Sequence, residues 1–187
     1  MTLRAGIAPI PPGALDLAGE AVRRRRLLQQ DMLERLEAAG YDEVIPPTFE
    51  YAEVFARAGG PEVGDRLIRF LDRDGRLLAL RYDFTASVAR IVATKLGDRA
   101  APLRLCYAGT VFRQEPERDQ GRAGRPREIL QVGGELVGEG DVAADVEVLH
   151  LALDLVRRTG VRDFQLNLGH VGAPALAALP DAERATV

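Results

Sequence analysis

The chain has 187 residues, enough for one domain with a core of its own. Hydrophobic residues make up 47%, which excludes global disorder, and the formal net charge of -3 gives no overall electrostatic reason to expect nucleic acid as a partner. Aromatics are 5% with no Trp, so Leu, Val, Ala and Ile must fill the core. The lone Cys106 cannot close an internal disulfide, which points to a cytoplasmic protein. Its apolar neighbours Leu105 and Tyr107 favour a small buried hydrophobe over a catalytic thiol. No apolar stretch approaches the roughly 18 residues of a membrane helix. The N-terminus lacks the basic-then-apolar order of a secretory signal.

Pro9, Pro11, Pro12 and Gly13 mark residues 1–15 as an extended lead-in. Asp16 suits an N-cap, and a long helix is predicted over 17–39, with Gly40 at its end. Ala21, Leu28, Met32 and Leu36 form its apolar stripe. Arg23 to Arg26 interrupt the stripe and suit a solvated face with a partner contact better than a grip on nucleic acid. Val44-Ile45 is predicted as a short strand that Pro46-Pro47 ends. Residues 48–58 follow as a helix closed by Gly59-Gly60-Pro61. Residues 67–71 and 76–81 flank Asp74-Gly75 and predict a hairpin.

A second helix is predicted over 85–96, with Val88, Ile91 and Val92 inward and Gly97 at its end. Strands are expected over 103–107 and 111–114. Residues 115–127 are polar, rich in Gly and Arg, and lack an apolar period; loops of that length inside a domain are usually functional or mobile. Residues 129–137 return as a strand. Asp141 caps a third helix with Val142, Val146, Leu149, Leu153 and Val156 inward. Residues 164–168 are a last strand, and the Ala/Leu/Pro-rich tail from Ala173 starts another helix. Strands outnumber helices and hairpins join most of them, which predicts an α+β fold: an antiparallel β-sheet flanked by helices.

Common catalytic signatures are missing. His150 and His170 stand apart without ligands at metal spacing, so no metal is expected, and His150 is assigned a structural role. No nucleophile elbow, phosphate loop or dinucleotide fingerprint is found, and no cofactor is expected. Polar residues instead gather at strand ends. Asp83 and Thr85 enter a helix, where they either cap it or meet an ammonium group. Gln131, Gly133 and Glu135 alternate along one strand and share a face, with Glu128 on the other. Gly133 and Gly134 are expected to leave space above that strand for a ligand. Arg113 supplies a planar fork for a carboxylate or phosphate. The set suits a zwitterion, or an internal salt-bridge cluster.

In sequence order, Leu80-Arg81-Tyr82-Asp83-Phe84-Thr85, Ala89-Arg90, Tyr107 to Glu115 and Arg127 to Gly138 resemble the catalytic core of histidyl-tRNA synthetases. Pro11 to Asp16 and Tyr41 to Glu50 are similar to that family's N-terminal segment and its first class II motif, a dimer-interface element. The resemblance covers nearly the whole chain and implies a single class II synthetase-like domain over 1–187, C-terminally incomplete, because the third class II motif is not found.

One branch fits better: the synthetase-like regulatory subunit of ATP phosphoribosyltransferase, acting in the first step of histidine biosynthesis. Leu168-Gly169-His170-Val171-Gly172 looks like that branch. Asp83 stands where synthetases have Glu, Ile129 stands where they have an aromatic against adenine, and the 115–127 loop is longer than theirs. By resemblance Asp83, Thr85, Arg113, Gln131 and Glu135 contact histidine, while Glu115 and Arg127 lie on the nucleotide side. The branch implies a non-catalytic protein that senses histidine as feedback inhibitor. It implies a homodimer within a hetero-oligomer, with the short-form catalytic subunit as partner and no part for tRNA. The alternative is the N-terminal part of a synthetase catalytic domain. A third reading is a domain that only dimerises.

Overall fold

A computed structural model describes residues 10–11, 13–114 and 126–169. Among the described residues six strands form two small sheets, against which four α-helices pack. The first sheet has the order β1-β5-β6. Its centre is β5 (Leu103–Phe112), paired antiparallel along its whole length with β6 (Glu128–Val137), from Leu103 opposite Val137 to Phe112 opposite Glu128. Sequence reading splits β5 in two at Ala108-Gly109-Thr110. The structure keeps one strand, because ten consecutive cross-strand partners outweigh the poor local strand preference of Ala and Gly. On the other edge, β1 (Asp42–Glu43) runs parallel to β5, two residues earlier than the predicted Val44-Ile45 strand. The Val44 amide continues the pairing to the Cys106 carbonyl at 2.8 Å.

The second sheet has the order β2-β4-β3. It contains β2 (Phe49–Tyr51) and the expected hairpin of β3 (Arg69–Leu71) and β4 (Leu77–Leu80). Gly75 takes φ 80 in the turn, a left-handed value that glycine tolerates. Residues 49–51, expected to be helical, are extended because they pair with β4. The helix α2 (Ala52–Gly64) starts after them and breaks at Gly60, whose φ of 69 and ψ of -171 are non-helical. The outer face of this sheet keeps Phe49 and Phe70 exposed, meeting edge-on at 6.1 Å.

Arg81 joins the two sheets. It is 6% exposed, and its guanidinium donates to the carbonyls of Pro46 (2.9 Å), Pro47 (3.1 Å) and Thr110 (2.9 Å). Its backbone accepts from Phe112 N–H and donates to Thr48 O, both at 2.8 Å.

Helix α1 (Glu20–Glu37) begins four residues after Asp16, with Gly19 in the N-cap position, so Asp16 is no cap. Within the arginine run Arg25 is half-buried and reaches Thr110 Oγ1 at 3.4 Å, while Arg23, Arg24 and Arg26 are solvated. Helix α3 (Thr85–Ile91) widens into a π-turn over Val92–Leu96. Helix α4 (Val142–Arg158) is capped by Asp141, which accepts from Ala144 N–H at 2.8 Å.

The expected inward stripe of α4 is corrected. Val142, Val146 and Val156 are exposed, and Ala144 and Leu151 are the buried residues. Both stripes of α4 are apolar, so periodicity alone cannot choose between them. Packing against Leu36, Tyr41 and Cys106 does. His150 is exposed rather than buried. The strand expected over 164–168 pairs with nothing described, and Phe164, Leu166 and Leu168 are exposed. The 1–9 lead-in, most of the 115–127 loop and the tail lie outside the described residues.

One face of the β5–β6 ribbon packs on α3 through Phe84, Val88, Leu105, Tyr107 and Val111. The other packs on α1 and α4 through Leu36, Tyr41, Cys106 and Leu151. There Arg104 donates to both oxygens of Glu147, which also accepts from the Tyr41 hydroxyl at 2.9 Å.

Candidate functional site

Directly opposed residues of an antiparallel pair share a face. Opposite Leu105, Tyr107 and Gly109 stand Glu135, Gly133 and Gln131, so these side chains lie on the α3 side, as their alternation predicts. At about 3.3 Å per residue, Gln131 and Glu135 are about 13 Å apart along the strand. That span exceeds the length of a small amino acid, so one such ligand meets both side chains only if they lean towards each other over the strand.

Thr85, the first residue of α3, donates its hydroxyl to Glu135 Oε1 at 2.7 Å. Tyr107, which sequence reading did not select, donates to the same oxygen at 3.2 Å. Its ring is parallel to Phe84, with 4.3 Å between centroids and 3° between planes. The Arg81 guanidinium lies 4.2 Å from the Phe84 centroid. Burial first, then the Glu135 charge and hydrogen bond, raise the Tyr107 pKa above the ordinary phenol value, so its hydroxyl stays a donor. The signal for Tyr107 was its place opposite Gly133, legible only once the register was known.

Asp83 caps α3. Its Oδ1 accepts from Ala86 N–H at 3.3 Å, so the capping alternative holds for that oxygen. Arg113 is engaged by Tyr82: its Nε donates to Tyr82 O at 3.3 Å, and its guanidinium sits 4.9 Å from the Tyr82 ring centroid. Gln131 carries a buried amide oxygen with no partner among the described residues. The Arg127 carbonyl accepts from Arg113 N–H at 2.9 Å, and its own N–H donates to Gly13 O at 2.7 Å. The latter two bonds tie the Arg127 backbone to the end of β5 and to the N-terminal segment. Glu115 lies outside the described residues. Thr85, Glu135 and Tyr107 are thus joined by hydrogen bonds, with Asp83 beside them and Gln131 at the far end.

Two tyrosines take part of the expected space above the glycines. A Cβ on Gly133 would lie 2.8 Å from the Tyr107 hydroxyl, and one on Gly134 would lie 3.0 Å from the Tyr41 ring. Each glycine makes way for a tyrosine of the protein itself. Beside these rings both glycines border a cavity of about 360 Å³ with Leu36, Leu151 and Leu155, and a second cavity of about 260 Å³ is bordered by Thr85, Val88, Val92, Glu135 and Val137. Among the described residues no group of three or more His, Cys, Asp or Glu forms a metal site. No described helix is long and apolar enough to cross a membrane.

The mixed α+β core with its long antiparallel ribbon matches solved structures of the class II aminoacyl-tRNA synthetase-like fold. A family model described as histidyl-tRNA synthetase matches residues 13–183, and the chain belongs to that family. A curated relative from Moorella thermoacetica, named ATP phosphoribosyltransferase regulatory subunit, is 46% identical over 164 residues, 87% of this chain and 41% of the relative. A solved structure from Bacillus halodurans, named ATP phosphoribosyltransferase regulatory subunit/histidyl-tRNA synthetase, matches with TM-score 0.78 at 34% identity, covering 91% of this chain and 43% of that one. Apo histidyl-tRNA synthetase of S. aureus matches with TM-score 0.66 at 25% identity, over 83% of this chain and 36% of that one. The chain therefore spans about two fifths of the length of the proteins it resembles.

Proposed function

We propose that this chain is part of a regulatory subunit of ATP phosphoribosyltransferase, acting in histidine biosynthesis without catalysing the reaction itself. It binds histidine as feedback inhibitor and activates the short catalytic subunit. The observation that carries the ligand reading is the pairing of Glu135, held by two hydroxyl donors, with the buried Gln131 amide oxygen on the same face, which has no partner among the described residues. A carboxylate accepts from an ammonium or imidazole N–H, and a buried amide oxygen without a partner invites a donor. Asp83 adds negative charge on the amine side. Arg113, whose Nε is bound to Tyr82 O, offers its terminal guanidinium nitrogens to the ligand carboxylate. Arg127 and Glu115 belong to the nucleotide side. The names of the relatives support the regulatory role and a catalytic subunit as partner; a cytoplasmic location and a homodimer inside a hetero-oligomer are part of the same proposal.

Allostery here means that histidine binds one quaternary state better than another. Co-purification with a short-form ATP phosphoribosyltransferase, followed by assay with and without histidine, tests the reading. The expected result is a stable complex whose activity falls with histidine, and Glu135→Gln abolishes that response while the complex persists. A catalytic subunit whose activity and histidine response ignore this chain rejects the role. The family model favours a second reading, the N-terminal part of a synthetase catalytic domain. Histidine-dependent ATP–pyrophosphate exchange by the protein carrying this chain identifies that case.

A further inference from the structure

We propose that Tyr107 is a positioning residue: with Thr85 it occupies one oxygen of Glu135, so that the carboxylate presents only Oε2 to an N–H donor of the ligand. Both hydroxyls converge on Oε1, at 2.7 Å from Thr85 and 3.2 Å from Tyr107, and no bond to Oε2 is formed among the described residues. A carboxylate has about four acceptor sites, and two donors on one oxygen leave the other for the ligand.

The Tyr107 ring cannot drift from this task. It is 4% exposed, stacked on Phe84, and seated on Gly133, where any side chain would collide with it. Phe84 is backed by Arg81, which backbone carbonyls hold in place. The rigid column Arg81–Phe84–Tyr107 therefore delivers one hydroxyl to one carboxylate oxygen. Pre-orienting a charged acceptor lowers the ordering cost of binding. The apolar cavity walls Val88, Val92 and Val137 leave that acceptor few competitors for the incoming donor. The group that meets Glu135 is thus a hydrogen-bond donor, and an N–H of the proposed histidine fits it.

The identity of the ligand rests on the histidine reading; the positioning role does not. The test uses the full chain, its Tyr107→Phe and Thr85→Val variants, and Thr85→Ser as the conservative control. Ligand-free crystal structures are expected to show the Glu135 carboxylate displaced from Thr85 in Tyr107→Phe. Calorimetry with L-histidine is expected to show affinity reduced about tenfold or more in Tyr107→Phe and Thr85→Val, with Thr85→Ser close to the parent, as for loss of a hydrogen bond to a charged group. Thermal midpoints of the parent and Tyr107→Phe should agree, since the aromatic stack is kept. A carboxylate that stays in place in Tyr107→Phe overturns the proposal, and so does a histidine affinity within twofold of the parent. If the parent binds no histidine, the histidine reading falls, and the crystallographic comparison alone decides the positioning role.

Discussion

Gly133 shows how a single residue was both legible and misleading. Its alternation with Gln131 and Glu135 assigns it to the site face, and the register agrees. Which neighbour fills the space above it depends on a strand 26 residues away, whose Tyr107 stands opposite. Adding one methyl there forces the buried ring aside, so Gly133→Ala should lower the unfolding free energy by about 1–3 kcal/mol in urea titrations. A substitution at Gln131 should act in the opposite direction. The buried amide oxygen of Gln131 has no partner among the described residues, and an oxygen left so costs about 1–3 kcal/mol. Gln131→Met, similar in volume and without the amide, should therefore raise stability by about 1 kcal/mol while removing any histidine response. A loss of stability in that variant would mean the amide is satisfied. Cys106 behaves as its apolar neighbours suggest. It is 0% exposed, and burial together with Glu43, Glu37 and Asp42 pushes its thiol up to about 11. A thiol reagent at neutral pH should find no reactive cysteine until urea unfolds the chain.

At the scale of elements, helices with a strong cap or turn signal were readable. Asp141 caps α4 and Asp74-Gly75 lies in the turn of the β3–β4 hairpin. Elements decided by distant partners were not. Residues 49–51 carry a helical pattern but are drawn into a sheet by β4, and the inward side of α4 is chosen by α1 and β6.

The same α4 contact predicts acid sensitivity. Hydrogen bonds from Arg104 and Tyr41 lower the Glu147 carboxyl from 4.5 to about 2. A depressed carboxyl stabilises the fold fully above its unfolded value and loses that contribution as pH falls through the folded one. The stability advantage of the parent over Glu147→Gln should therefore be constant above about pH 4.5 and shrink steadily towards pH 2. Urea midpoints measured across that range check it, and a difference that does not change with pH would exclude Glu147 as the cause.

For the whole molecule, the fold class was legible because several motifs recur in order along one chain. The split into two sheets was not, since the parallel β1–β5 contact and the Arg81 bridge link distant segments. The outer face of the β2-β4-β3 sheet leaves Phe49 53% and Phe70 40% exposed, with Ile45 84% exposed nearby in sequence. Exposed apolar surface of this kind suits the proposed homodimer. Phe70→Asp should shift the protein from dimer to monomer in sedimentation velocity without altering its circular dichroism. A parent that sediments as a monomer at all concentrations would remove the dimer.

Arg81 carries a last consequence. A guanidinium bound to carboxylates is weakened by acid and screened by dissolved ions. This one is bound to peptide carbonyls, which neither titrate nor dissociate. The seam between the two sheets should therefore hold alike in brine and in dilute buffer. Lysine, a single ammonium without the planar fork, cannot span the Pro46, Pro47 and Thr110 carbonyls together. Where the molecule's ion pairs would loosen under halophilic conditions, this hinge line would be the part that remembers its shape.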